Sequence, residues 1–83
     1  MDLVKGMVVI SRAGRDKGRL LTVVGTEGEF VLTADGKERP LARPKKKNPK
    51  HLARTNMRTE TEGISDKALR RALRELSADG REE

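Results

Sequence analysis

The fold of this chain is decided by the stretch Val8-Val9-Ile10-Ser11-Arg12-Ala13-Gly14-Arg15-Asp16-Lys17-Gly18-Arg19, followed at once by Leu20-Leu21-Thr22-Val23-Val24-Gly25. Its two apolar runs, 8–10 and 20–24, are aliphatic and have the length of β-strands. Between them, Gly14 and Gly18 allow a sharp reversal, because glycine takes left-handed backbone angles without steric cost. The stretch therefore predicts a strand, a tight loop and a second strand.

The loop between these strands is basic. Arg12, Arg15, Lys17 and Arg19 stand at its rim, and Asp16 is the only acidic residue among them. A short carboxylate in a turn accepts hydrogen bonds from nearby amides, so we expect Asp16 to brace the loop. The loop is then expected to present positive charge and backbone donors at one end of a small sheet.

Composition limits the protein to one small domain with a possible tail. Of its 83 residues, 34% are hydrophobic and 39% charged, so the core must be small. The absence of cysteine excludes disulfides and thiolate metal sites, and a single histidine cannot build a metal centre or a nucleophile–base pair. We therefore expect no enzyme and no cofactor. Neither a membrane-spanning run nor the apolar core of a signal peptide occurs, so we expect a soluble cytoplasmic protein.

The charge is concentrated in one part of the chain. The formal net charge is +6, yet residues 36–58 hold nine basic residues against Glu38 alone. Residues 1–35 are neutral in sum and residues 59–83 are slightly acidic. Such segregation is typical of a protein that binds a polyanion, although solubility alone is the other interpretation.

Alternation along the strands predicts which side chains face inward. Val8 and Ile10 share one face of the first strand, with Met7 and Val9 on the other. In the second strand we place Leu21 and Val23 inward, which turns Thr22 towards solvent; the opposite choice would bury positions 20, 22 and 24. Residues 30–34 predict a third strand, and Phe30, the only aromatic residue, is expected in the core.

The remaining β-structure is shorter and interrupted. Asp35-Gly36 predicts a two-residue hairpin in which both positions take positive φ. A short fourth strand is expected over 37–41, at an edge because Pro40 cannot donate to a ladder. Residues 43–50, with two prolines and four lysines, predict an extended loop. A fifth strand is expected over 51–55 with Leu52 inward.

A linker, residues 57–63, precedes a C-terminal helix and short tail, residues 64–83. Ser65 is the expected N-cap, and Ile64 and Leu69 have the spacing of a hydrophobic staple. One apolar stripe runs along the helix, which Gly80 is expected to end: Leu69, Ala72, Leu73 and Leu76. We expect this stripe to pack on the domain itself, with a groove on a partner as the alternative.

Five short strands within residues 1–56, including the basic segment 37–54, predict a mainly β protein built as a small closed barrel. The run Gly6-x-Val8-Val9-Ile10-x-x-Ala13-Gly14-x-Asp16-Lys17-Gly18, ending in Val23-Val24, resembles the KOW motif of several large-subunit ribosomal proteins and NusG-type elongation factors. The later residues Val31-Leu32-x-x-Asp35-Gly36 and Lys50-His51-Leu52-x-x-Thr55 are similar to KOW-type large-subunit ribosomal proteins of archaea and eukaryotes, and to small bacterial KOW-domain RNA-binding proteins.

This resemblance covers residues 3–56 and implies an SH3-like five-stranded barrel that contacts ribosomal RNA. Domains that bind single-stranded RNA on a β-sheet stack the bases on several aromatic side chains. A chain with a single aromatic residue must instead contact RNA phosphates and recognise the shape of the RNA. The expected function is non-enzymatic RNA binding, associated with ribosomal RNA or ribosomal particles. The alternative is a protein-interaction adaptor of the transcription or translation machinery, which would use the barrel and the helix. The predicted RNA contacts are Arg12, Gly14, Arg15, Lys17, Gly18 and Arg19 from the loop, and Arg43, Lys45, Lys46, Lys47, Lys50, His51 and Arg54 from the basic segment.

Overall fold

A computed structural model describes residues 3–80 of the chain, with side chains through Ser77. This part of the chain holds five strands, one 3-10 helix and one α-helix. Their bounds are β1 Met7–Ser11, β2 Leu20–Glu27, β3 Phe30–Ala34, β4 Lys45–Lys47, the 3-10 helix Pro49–His51, β5 Leu52–Arg58 and α1 Asp66–Gly80.

The strands form one antiparallel sheet in the order β4-β3-β2-β1-β5. The reversal predicted around the loop is present, and Val9 lies opposite Leu21 across β1 and β2. Register shifts in β2 between Val23 and Gly25, and in β1 between Met7 and Val9, mark irregular points of the kind that bend strands. The mainly β architecture with a C-terminal helix is confirmed. The expected closure is not, because β4 and β5 remain the two edges of the sheet.

Both faces of the sheet carry a hydrophobic cluster. The first cluster lies on one face and the second lies beneath α1. Their buried members are Met7, Val9, Leu21, Val23, Val31 and Leu52 in the first, and Val8, Leu20, Ala34, Leu69 and Leu73 in the second. The predicted division of β1 into two faces is confirmed, as is the inward position of Leu52.

Two residues expected on particular faces lie elsewhere. Thr22 was expected in solvent but is fully buried, with its hydroxyl 3.1 Å from that of Thr59. The expectation fails because the helix covers the second face, so both sides of β2 are inside. Phe30 was expected in the core but is 43% exposed, because Val31 and Thr33 take the inward positions of β3.

The fourth strand forms later in the chain than predicted. The Asp35 carboxylate accepts hydrogen bonds from the amides of Lys37 (2.8 Å) and Arg39 (2.9 Å), and the Asp35 amide donates to the Arg39 carbonyl. These bonds close a compact turn in place of the expected two-residue hairpin and of a strand over 37–41; only Gly36 takes a positive φ there. Residues 45–47, expected within an extended loop, instead pair with β3.

Helix α1 begins as predicted and packs on the sheet. The Ser65 hydroxyl accepts from the Ala68 amide at 3.1 Å, and Leu69 and Leu73 are buried against the second cluster. The turn after β3 is fastened to the first helical turn, since the Leu41 amide donates to Asp66 Oδ1 at 2.6 Å. Strand β5 continues through Arg58, two residues into the predicted linker. The expected tail, residues 81–83, lies outside the described residues.

Candidate nucleic-acid interface

The loop between β1 and β2, residues 12–19, is closed by its own backbone. The Ser11 amide donates to the Arg19 carbonyl at 3.0 Å, and the Gly18 amide donates to the Ser11 carbonyl at 2.8 Å. Gly14 and Gly18 have φ angles of 85° and 87°, which residues with a Cβ rarely adopt. The glycines therefore set the loop conformation, as the sequence predicts.

Asp16 anchors this loop from the inside. Its Oδ1 accepts from the Ser11 hydroxyl at 2.7 Å and from Lys47 Nζ at 2.9 Å, and Lys47 also donates to the Ala13 carbonyl at 3.2 Å. The side chains of Lys47 and Asp16 are only 7% and 14% exposed. The bracing role predicted for Asp16 is confirmed, and the Ser11 hydroxyl and the Lys47 ammonium join a backbone amide among the hydrogen-bond partners of its carboxylate. Strand β4 is thereby tied to the loop, although no strand pairing joins them.

The same contacts determine the acidity of Asp16. Burial acts to raise the pKa of its carboxyl group, because a charged form is disfavoured away from water. The hydrogen bonds from Ser11 and Lys47, with the nearby Lys47 charge, outweigh burial and lower the pKa below its ordinary value. Asp16 is therefore ionised at neutral pH, and its carboxylate can pair with Lys47.

The basic side chains of the loop are uncompensated. Arg12, Arg15, Lys17 and Arg19 are all exposed. Within residues 3–80, ion pairs join only Lys47 to Asp16 and Lys5 to Glu62, so none of these four side chains has a carboxylate partner. The loop thus holds concentrated positive charge on a fixed backbone, an arrangement suited to polyanions.

Part of the basic segment lies against this loop. The Arg12 amide donates to the His51 carbonyl at 2.8 Å, which places the 3-10 helix beside the loop. Asn48 caps that helix by accepting from the Lys50 amide at 2.9 Å. Lys50 and His51 are both exposed, so the structure brings these two predicted contacts next to the basic loop.

The other predicted contacts occupy different environments. Lys47 points inward and serves the anchor described above. Lys46, its neighbour in β4, is exposed, with its ammonium 5.5 Å from the centre of the Phe30 ring. Arg43 follows the turn fastened to α1, and its amide donates to the Pro40 carbonyl at 2.9 Å. Lys45 is half-buried in β4, and Arg54 is exposed in β5 opposite Val9.

A groove beside Arg19 is lined by three further basic residues that are not among the predicted contacts: Lys37, Arg70 and Arg74. The four-residue spacing of Arg70 and Arg74 places them together on the polar side of the helix. Their proximity to the loop could not be predicted, because it depends on where α1 packs.

The chain matches no protein-family model, and no curated protein is significantly similar to it. The described helix is too short and too polar to cross a membrane. Among the described residues, no group of three or more histidine, cysteine or acidic side chains could hold a metal ion.

Proposed function

We propose that this chain is a non-enzymatic RNA-binding protein whose fold is an SH3-like domain of the KOW type. The observation that supports the proposal best is the uncompensated charge of the 12–19 loop on a backbone anchored by Asp16. A rigid cationic loop loses little conformational entropy when it meets phosphates. The motif resemblance favours ribosomal RNA or a ribosomal particle as the partner.

Binding is expected to rest on the RNA backbone. Phosphates are contacted from the loop by Arg12, Arg15, Lys17 and Arg19. Gly14 and Gly18 have no side chain, so a phosphate can come close to the loop backbone there. Lys50 and His51 extend the contact from the adjacent 3-10 helix. Exposed Phe30 is the chain's only aromatic residue, and one ring cannot form the stacking surface of a sheet-based reader. The protein is therefore expected to recognise the shape and charge of an RNA more than its base sequence.

The adaptor alternative gains no comparable support. It requires the apolar stripe of α1 to lie in a partner's groove. Leu69 and Leu73, the centre of that stripe, are buried against the chain's own sheet. RNA binding is therefore the function that we put forward.

A salt titration of two charge-matched variants tests the proposal. The probe is a fluorescein-labelled hairpin RNA of about 20 base pairs, and contact with about five to eight phosphates predicts a slope of log K against log salt of roughly −4 to −6. R15Q/K17Q is expected to make the slope shallower by about 1.5 to 2. K67Q/R71Q removes the same charge from the outer side of α1 and is expected to change it by less than about 0.5.

Far-UV circular dichroism checks that both variants remain folded. Equal slopes of log K against log salt for the wild type and R15Q/K17Q would show that the loop does not contact RNA phosphates. A wild-type protein that binds neither this hairpin nor ribosomal RNA at low salt would refute the function.

A further inference from the structure

A second basic surface is a groove that lies between the end of the loop, the turn after β3 and α1. It has a volume of about 400 Å³. The loop end contributes Arg19, the turn after β3 contributes Lys37, and α1 contributes Arg70 and Arg74. Leu20 and Leu73, both largely buried, form its apolar floor.

The groove carries an excess of uncompensated positive charge. Its four basic side chains are exposed, and none has an ion-pair partner among the described side chains. The one acidic residue in the lining, Asp35, is 8% exposed. Because its carboxylate already accepts two backbone amides, it is turned towards the Lys37–Arg39 turn. Four like charges around one groove repel one another, and a bound polyanion relieves that repulsion.

The groove walls are held in a fixed relation. Gly36 lies so close to the helix that a Cβ atom there would be 2.2 Å from the Asp66 carbonyl oxygen and 3.0 Å from the Arg70 amide nitrogen. The hydrogen bond from Leu41 to Asp66 joins the same turn to α1 a second time. The turn and the helix therefore present Lys37, Arg70 and Arg74 from one packed unit.

The groove is continuous with the basic loop. Arg19 lines both the groove and a neighbouring hollow, whose other lining residues are Arg15, Arg39 and three acidic residues, Asp16, Asp35 and Glu38. Asp16 is paired with Lys47 and the Asp35 carboxylate accepts two backbone amides, so Glu38 is the exposed acidic side chain there. A phosphate chain that contacts the loop at Arg15 can thus reach the helix by way of Arg19, which borders both the hollow and the groove.

We infer that this groove binds the phosphodiester backbone of the same RNA, so that α1 contributes a second line of contacts, through Arg70 and Arg74, to the interface that the loop begins. The inference rests on the proposed function and extends it to the helix, which lies outside the resembling motif. The partner is an RNA long enough to run from the loop to the C-terminal half of α1. A short oligonucleotide confined to the loop would not engage both.

The decisive experiment compares R70Q/R74Q with K67Q/R71Q. Both pairs are four residues apart on the same helix, and both remove two charges. With the hairpin RNA at about 100 mM KCl, R70Q/R74Q is expected to weaken binding about 10-fold or more and to make the salt slope shallower by about 1.5 to 2. K67Q/R71Q is expected to stay within about twofold of the wild type. Circular dichroism and thermal unfolding verify that α1 is intact in each.

The outcomes separate the two proposals. If R15Q/K17Q weakens binding while R70Q/R74Q behaves like K67Q/R71Q, the groove is refuted and the proposed function stands. If the two helix variants lose affinity equally, the helix acts only through net charge, and the groove is again refuted. If the wild-type protein binds no RNA, both proposals fail.

A second measurement leaves every basic residue in place. The chain has no cysteine, so S77C and A68C each provide a single attachment point for a benzophenone crosslinker. Ser77 lines the groove, whereas Ala68 is exposed on another part of α1. RNA is expected to crosslink from position 77 and not from position 68. Equal crosslinking from both positions, or none from position 77, would overturn the inference.

Discussion

Two basic connections in this protein are built in different ways. The loop 12–19 is short, and its shape follows from two glycines and from backbone bonds within and beside it. The connection 35–51 is longer and takes its shape from distant partners: it contacts α1 through Gly36 and Leu41 and the loop through Lys47. The first connection is shaped mainly by its own residues, with Lys47 and His51 as distant partners, whereas the shape of the second depends on the tertiary fold.

This difference separates lysines that look alike in the sequence. Lys46 and Lys47 are neighbours in β4, and alternation along the strand sends them to opposite faces. Lys47 is buried beside Asp16, while Lys46 stays exposed over Phe30. A basic run is therefore not a uniform binding surface, because one of its charges holds the structure together.

The largest effect is expected where the long connection meets the helix. Replacing Gly36 with alanine places a Cβ atom 2.2 Å from the Asp66 carbonyl oxygen, at a φ of +80°. Because the clash is with the backbone of α1, which cannot move aside as a flexible side chain could, we expect G36A to lower the free energy of unfolding by about 3 kcal/mol or more. G28A is the control: its φ is also positive, but nothing lies within 4 Å, and a loss of about 1 kcal/mol is expected. Urea unfolding followed by circular dichroism measures both, and equal losses would show that the turn does not depend on the helix.

The next largest effect is expected at the contact between the two connections. K47M keeps the bulk of the side chain but removes the charged partner of the half-buried Asp16 carboxylate, so we expect a loss of about 2 to 4 kcal/mol. K46M removes an exposed lysine from the same strand and is expected to cost less than about 1 kcal/mol. The same unfolding measurement compares them. Similar stabilities for the two variants would contradict the structural role assigned to Lys47.

The smallest effect concerns pH. Because the folded-state pKa of Asp16 is lowered, its contribution to stability is present above the unfolded-state pKa and is lost as the pH falls through the folded-state value. The difference in melting temperature between the wild type and D16N is expected to stay constant from about pH 7 to pH 5 and to shrink below about pH 4. A difference that grows on acidification would show that the anchor does not depend on the ionised carboxylate.

Local signals predicted part of this architecture well. The β1–β2 reversal, the Ser65 cap and the apolar stripe of α1 all depend on residues close in sequence. The hydrogen bond from Ser11 to Asp16 is also local, whereas the Lys47 contact that completes the anchor is not. Errors arose where a distant partner decides. Thr22 is buried because α1 covers its face of the sheet. Residues 37–41 form a turn and not a strand, because the amides of Lys37 and Arg39 donate to the Asp35 carboxylate. Strand β4 then forms from lysines that, taken alone, indicate a solvated loop.

The candidate site divides in the same way. Sequence indicated the cationic loop and the basic segment, and these RNA contacts remain predictions. It could not indicate that Arg70 and Arg74 stand beside Arg19, because helix spacing shows only which residues share a side of α1.

The sequence by itself determined four of the five strands, the glycine-dependent loop, the helix and the excess of positive charge, because each follows from residue type and spacing over a few positions. Only the tertiary structure decided which charges are buried, which are exposed and which converge on one groove. The physical reason is that burial and charge pairing depend on distances between elements, and those distances exist only once the helix and both edges of the sheet have packed.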